Sequence, residues 1–356
     1  MSDLKVFSQT VEESAQTQLD ELLRHPAFQD AKIRIMPDVH AGAGCVIGFT
    51  ADLGDIVVPN LVGVDIGCGM LTVELGQADI NFKELDRVIA DRIPSGFGIH
   101  QITTVNTSKF DLVCRASLQN LSRLDRSLGT LGGGNHFIEI DADTDGNKYL
   151  VIHSGSRNLG LQVAKIYQAR AVATCRDDVP DSLKYLTGQA KADYINDMYL
   201  CVGWARHNRE LMAEAIITGA GLGAGDTWHT VHNYIDPDDR IIRKGAISAK
   251  KDARVLIPFN MHDGSLIATG KGAADWNCSA PHGAGRVMGR KQAKRTLDLA
   301  EFQQEMAGIY SSSVSVDTLD EAPGAYKPYQ EILNAINATV APLKMIRPLF
   351  NFKATQ

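Results

Sequence analysis

Hydrophobic and polar positions follow two different periods along this chain. Leu19, Leu22, Leu23 and Phe28 stand in a polar background, which predicts an amphipathic helix over about residues 11–25. Between 32 and 65 the pattern changes to short β-branched runs cut by Gly and Pro (Ile33–His40, Cys45–Phe49 and Asp55–Pro59), as strands require. Apolar residues at three-to-four spacing return over 80–93 and 109–127 and predict helices there. A strand is expected at 136–141, a turn at Asp143–Asn147 and a strand at 149–153. Helical pattern then runs from 160 to 217, broken near Pro180. Strands and Gly turns occupy 229–270, and 291–307 and 327–345 read as helical. Strands and helices come in blocks rather than in strict alternation, so the fold class is α+β, with a β-rich centre flanked by helices. No repeat, low-complexity tract or linker divides the chain, and residues 1–356 read as a single domain.

Composition narrows this picture. Hydrophobic residues make up 44% and charged residues 22%, the balance of a soluble globular chain. No apolar run has spanning length and no charged segment leads into an apolar one, so neither a membrane span nor secretion is expected. The six cysteines (45, 68, 114, 175, 201 and 278) have no C-x-x-C spacing, which points to reduced thiols in a cytoplasmic setting. A net charge of −6 argues against a general polyanion coat, while leaving room for a local basic patch.

Candidate chemistry centres on Gly63-Val64-Asp65-Ile66-Gly67-Cys68-Gly69-Met70. A carboxylate oxygen and a thiol three residues apart suit a borderline divalent metal such as Mn, Fe, Co or Zn. Further ligands must come from elsewhere. Five of the ten histidines sit beside small residues at the ends of strand-like runs: His40, His136, His153, His232 and His282. Neutral imidazole is the commonest metal ligand. Taken singly, each of these is more often a hydrogen-bonded core or turn residue, and Cys68 alone a small buried hydrophobe. His25, His100 and His207 lack such context and read as surface or helix residues. There is no G-x-x-x-x-G-K-[ST] loop, no H-E-x-x-H pair and no K-x-D-G signature of lysine-nucleotidylated ligases. Gly219–Gly225 matches a dinucleotide loop only loosely and reads as a connection.

Met36–His40, Gly63–Met70, Leu128–Glu139, His153–Arg157, His232–Tyr234, Arg243–Ala246, His282–Arg290 and Ala325–Lys327 together resemble, in order, the motifs of the RtcB family of RNA-splicing ligases. The resemblance implies that family's α+β fold with an active-site cleft. It implies an enzyme that joins RNA ends bearing a 2′,3′-cyclic phosphate or 3′-phosphate to a 5′-hydroxyl, with GTP and two Mn ions, in RNA splicing or repair. Cys68 would bridge the two ions, one completed by Asp65 and His136 and the other by His153 and His232. His282 would be the nucleophile that takes GMP. Asn135, Glu139, Asn260, Ser265, Ala284, Gly285, Tyr326 and Lys353 would line the guanylate pocket, with Tyr326 offering a stacking face.

Arg286, Arg290 and Lys294 would form a basic stripe for RNA if helical, with Lys291 and Arg295 alongside. Arg157 and Arg243-Lys244 lie within matched motifs and are further RNA-contact candidates. Phe259–Ser265 departs from the Gly-Ser-Met-Gly loop usual in the family. The chain is also shorter than most relatives near 95–130 and 217–232. An accessory activator or release-factor-like partner is left open. The alternative activity is a metallo-phosphoesterase that opens cyclic-phosphate ends without joining them.

Overall fold

A computed structural model describes residues 3–52, 54–103 and 105–354. In chain order the first half carries β1 (Asp3–Val6), α1 (Glu13–Leu23), β2 (Lys32–His40), β3 (Ile47–Ala51), β4 (Gly69–Gly76), α2 (Phe82–Arg92), α3 (Leu121–Asp125), β5 (Phe137–Ala142), β6 (Lys148–Ser154) and α4 (Arg157–Thr174). There follow α5 (Gly188–Ala220), β7 (Thr227–Val231), β8 (Asn233–Ile235), β9 (Ile242–Lys244), β10 (Ala246–Ser248), β11 (Arg254–Asn260) and β12 (Gly264–Gly270). The chain then forms β13 (Ser279–Pro281), α6 (Arg290–Thr296), α7 (Leu299–Glu305), α8 (Tyr329–Ala335) and β14 (Val340–Lys353).

Seven strands form one sheet in the order β11-β12-β14-β5-β6-β4-β7. Its two edges approach one another. The Leu256 amide of β11 donates to Thr230 Oγ1 of β7 at 3.1 Å, and the Arg254 guanidinium lies 3.7 Å from the Trp228 ring centroid, so the sheet curls into a near-barrel. A second sheet runs β1-β2-β3-β9-β8 and packs against α1, α4 and α5. The two-stranded ladder β10-β13 carries the chain toward His282. The mixture is the α+β architecture that the sequence pattern indicates. Among the described residues no helix is long and apolar enough to cross a membrane.

Two helix expectations are corrected. Over 109–127 only Leu121–Asp125 is α-helical, with separate 3-10 turns at Thr107–Lys109 and Arg115–Ser117. The buried Asp197 carboxylate accepts from the Val113 and Cys114 amides at 2.8 and 2.9 Å, and Asn120 has φ +52°. These donors are therefore held by a side chain on α5 rather than by a helical turn. The helix expected over 327–345 stops at Ala335, and Val340 begins the longest strand of the near-barrel. Its first half pairs with β12 (Gly270↔Val340 through Ser265↔Ile346) and its second half with β5 (Arg347↔Ala142 through Lys353↔Phe137). One continuous strand thus joins the two halves of the sheet.

Candidate active site

Antiparallel pairing brings the candidate ligands to one rim. Cys68 immediately precedes β4, His136 immediately precedes β5, His153 is the penultimate residue of β6, and His232 immediately follows β7. β5, β6, β4 and β7 are consecutive neighbours, so beginnings and ends of alternate strands meet at the same edge. The register fixes this: His153 is opposite both Met70 and Phe137, and Gly69 is opposite Val231.

The donor atoms converge. Cys68 Sγ lies 3.2 Å from His153 Nε2 and 3.6 Å from His136 Nε2, and His136 Nε2 lies 3.1 Å from Asp65 Oδ2. Cys68, His136 and His153 form a buried group able to hold a metal ion. The His232 ring is 5.3 Å from that of His153 and 4.9 Å from that of His282, centroid to centroid. The other nitrogens are engaged by backbone carbonyls: His136 Nδ1 with Leu131 at 2.9 Å and His153 Nδ1 with Asn135 at 3.1 Å. With Nδ1–H donating there, each Nε2 turns its lone pair to the cluster, the arrangement that orients a metal-ligating histidine.

The electrostatics fit a cation. Burial holds His153 and His232 well below the ordinary imidazole value and therefore neutral. Burial, reinforced by Asp65, pushes the Cys68 thiol well above its usual range. Burial opposes the charge of Asp65 too, but His136 and Arg157 hold that carboxyl at about 2. A carboxylate, neutral imidazoles and a thiol that ionises only against positive charge make up a divalent-metal donor set. Gly155 makes room for it, since a Cβ there would run into the Asp65 carboxylate. Arg209 of α5 clamps the rim from behind, donating to the carbonyls of Gly67 at 2.9 Å and Ser154 at 2.7 Å.

His282 stands beside this cluster, and Asp38 of β2 holds it. Asp38 Oδ2 accepts from the His282 backbone amide at 3.1 Å and lies 2.6 Å from its Nδ1. The Asp38 side chain is completely buried, while that of His282 is 18% exposed, at the wall of a cavity of about 560 Å³. Gly285, at φ +74°, lets the loop after His282 lie against the backbone of β2. A Cβ there would collide with the Asp38 carbonyl. The glycine is thus needed for a close backbone approach as well as for ligand space.

Asn135, Glu139, Asn260, Ala284, Gly285, Tyr326 and Lys353 all line this cavity. Ser265 is placed differently: it is completely buried on β12 opposite Pro258, and its hydroxyl has no hydrogen-bond partner among the described residues. Phe259 and Asn260 form part of the wall, whereas the His262 side chain is 46% exposed. The far end is organised by Glu321, which the sequence offered no reason to select. It accepts from Tyr326 Oη at 2.7 Å, from Arg286 at 3.2 Å and from Arg290 at 3.0 Å, and it pairs with Lys353. Asp38 did carry a signal, because it lies in the Met36–His40 run.

Three expectations about cations and histidines change. Arg286 precedes α6 and pairs with Glu321, Arg290 pairs with Asp320 and Glu321, and Lys294 lies 3.5 Å from Asp320. The basic stripe is therefore largely neutralised within the fold. Arg243 is completely buried against Asp236 and Asp239, and Lys244 donates to the carbonyls of Ala43 and Asn60 at 2.8 and 2.9 Å. Both hold sheets and loops together rather than facing a ligand. His25, expected at the surface or in a helix, is buried between α1 and the 3-10 turn at Pro26, which it caps.

The fold and site define a mixed α+β protein with a buried thiol–imidazole cluster suited to metal and a histidine–aspartate pair at its edge. The profile of the tRNA-splicing ligase RtcB family matches residues 18–121 and 113–354. The chain is 30% identical to the RNA-splicing ligase RtcB of Escherichia coli K12, over 95% of this chain and 93% of that protein. It is 28% identical to the tRNA-splicing ligase RtcB of Aeropyrum pernix, over 85% of this chain and 84% of that protein. The protein belongs to the RtcB family.

Proposed function

We propose that this protein is a GTP- and Mn-dependent RNA ligase, acting as one catalytic domain. It joins RNA 2′,3′-cyclic phosphate or 3′-phosphate ends to 5′-hydroxyl ends, in RNA splicing or repair. The observation that carries this reading is the position of His282. Its Nδ1 is held by Asp38, and its ring lies between the imidazole cluster and a cavity lined by groups suited to a nucleotide.

With Nδ1–H donating to Asp38, Nε2 of His282 carries the lone pair. That nitrogen attacks the α-phosphorus of GTP: the N–P bond forms and the bond to pyrophosphate breaks, leaving GMP on the histidine. Asp38 stabilises the charge the ring acquires, as an orienting carboxylate does for a histidine base. An oxygen of the RNA 3′-phosphate then attacks the GMP phosphorus, and His282 leaves. The resulting anhydride is attacked at the RNA phosphorus by the 5′-hydroxyl, which gives up its proton as the phosphodiester forms and GMP departs. A cyclic phosphate is first opened by water. Asp65, Cys68, His136, His153 and His232 would hold two Mn ions. Bound there, these would offset phosphate charge and align the groups for in-line displacement.

At the base, Glu139 and Lys353 suit the donor and acceptor edge of guanine. Asn135 and Asn260 add hydrogen-bonding groups, while Ala284 and Gly285 keep the wall beside His282 low. The Arg286 guanidinium lies 5.1 Å from the Tyr326 ring centroid, and Tyr326 would meet guanine from the wall of the cavity. Behind the guanylate wall, Ser265 would support Pro258 rather than touch the nucleotide. Six free cysteines support a reducing, cytoplasmic setting.

The decisive assay offers an RNA with a 2′,3′-cyclic phosphate together with a 5′-hydroxyl strand, with Mn and with or without GTP. Joining that depends on GTP is expected. Opening of the cyclic phosphate without GTP, and no joining with it, would assign a phosphoesterase instead.

A further inference from the structure

The functional reading leaves unassigned a second cavity, of about 480 Å³, on the other side of Asn135 from the first. Asn135 lines both cavities, and Asp65 and His136 wall the second one too. Its mouth carries Phe97, which is 85% exposed. The loop holding this ring is well tied. The Gly96 amide donates to the Gly132 carbonyl and the Leu131 amide to the Pro94 carbonyl, both at 2.9 Å. The Arg123 guanidinium donates to the Phe97 carbonyl at 2.6 Å. A large apolar ring is thus presented to water by anchored backbone, in the cavity that Asp65 and His136 also wall.

Arg157 stands deeper in the same cavity. It is a non-glycine residue at φ +59°, a conformation whose cost is commonly met at functional sites. Its Nε donates to Thr130 Oγ1 at 3.3 Å, its Nη1 lies 3.4 Å from His136 Nδ1, and its charge acts on the nearby Asp65 carboxylate. Arg286, Arg290, Lys294 and Lys353 on the nucleotide side are all matched to Asp320 or Glu321. On the Phe97 side the cavity is lined, among the described residues, by the cations Arg123 and Arg157. An exposed aromatic face and a guanidinium that share one cavity with the candidate metal ligands Asp65 and His136 are elements that bind an unpaired nucleotide, by stacking and by charge.

We propose that the terminal nucleotide of the RNA strand bearing the 3′-phosphate docks in this second cavity, with its base stacked on Phe97 and its phosphate directed to Arg157. This assignment rests on the RNA-ligase reading and makes Phe97 the residue that fixes the last base. It acts after His282 has taken GMP, so self-guanylylation does not involve it.

The test uses the full chain, Phe97→Ala and Phe97→Trp, with two readouts. An oligonucleotide ending in 2-aminopurine 3′-phosphate should be quenched on binding wild type and Phe97→Trp, and not on binding Phe97→Ala. Transfer of labelled GMP from protein to a 3′-phosphate RNA should show KM for RNA raised about ten-fold in Phe97→Ala, as expected for loss of one base–aromatic stack. Self-guanylylation should be unchanged. Equal quenching in Phe97→Ala and wild type would overturn the assignment, as would a defect confined to the later attack by the 5′-hydroxyl strand. Quenching that depends on Phe97 in a protein that never takes up GMP would keep this site and remove the ligase reading.

Discussion

Asp38 Oδ2 contacts His282 twice, at the backbone amide and at Nδ1, from a side chain with no exposure to water. The contact orients the ring and fixes which nitrogen keeps its lone pair. Asp38→Asn presents a neutral amide that can hold the wrong tautomer. Self-guanylylation is expected to fall about a hundred-fold or more, with the far-ultraviolet circular dichroism unchanged. A rate within a factor of about three of wild type would mean that Asp38 does not orient the nucleophile.

The metal centre makes a prediction that needs no RNA. Mn added at about a hundred times its dissociation constant should stabilise the wild-type protein by about 2.7 kcal/mol against thermal unfolding. Cys68→Ala should lose most of this gain and most of the bound Mn measured by elemental analysis after desalting. Undiminished Mn content in Cys68→Ala would remove the thiol from the donor set.

Glu321 couples stability to pH. Burial alone would raise its carboxyl, but Lys353, Arg290 and Arg286 hold it at about 2, below its ordinary 4.5. Between those values the unfolded chain takes up a proton that the folded protein does not. Glu321 therefore contributes stability that is present above pH 4.5 and lost as pH falls toward 2. Glu321→Gln leaves its cations without their partner and should cost about 3–5 kcal/mol near neutral pH. The deficit should shrink as pH falls below 4.5. Denaturant titrations across that range that give a constant difference would contradict this.

Gly285→Ala tests the close approach of the two loops. The added methyl meets the Asp38 carbonyl in a backbone conformation that disfavours side chains. A loss of about 1–3 kcal/mol in stability and a larger proportional loss of self-guanylylation are expected, because the clash lies at the Asp38–His282 contact. Gly223→Ala, where an added Cβ meets nothing within 4 Å, serves as the control and should behave as wild type.

Much of this arrangement could be read from the chain because its key residues are locally marked. Asp65 and Cys68 share one glycine-flanked stretch, and His136, His153 and His232 adjoin recognisable β runs. Antiparallel pairing then draws those strand ends together without further information. Strand β14 escaped because Pro342 and Pro348 interrupt its pattern, and prolines argue against a central strand. In the fold each sits beside a register shift, where the ladder is already irregular. The non-helical course of 109–127 depends on Asp197, more than seventy residues away in sequence, which no local pattern reports. Glu321 was silent for the same reason, since its meaning comes from four partners on other segments. Basic residues misled in the opposite direction: Arg243 and Arg290 look like nucleic-acid contacts until their buried carboxylate partners are seen.

The most direct measurement is transfer from GTP labelled at the α-phosphate, in the presence of Mn, to the protein and its His282→Ala variant. Wild type is expected to acquire acid-labile label, recovered on the peptide that contains His282, and the variant none. Label retained by His282→Ala, or wild type left unlabelled with Mn bound, would contradict a guanylylated His282 as the centre of this protein's chemistry.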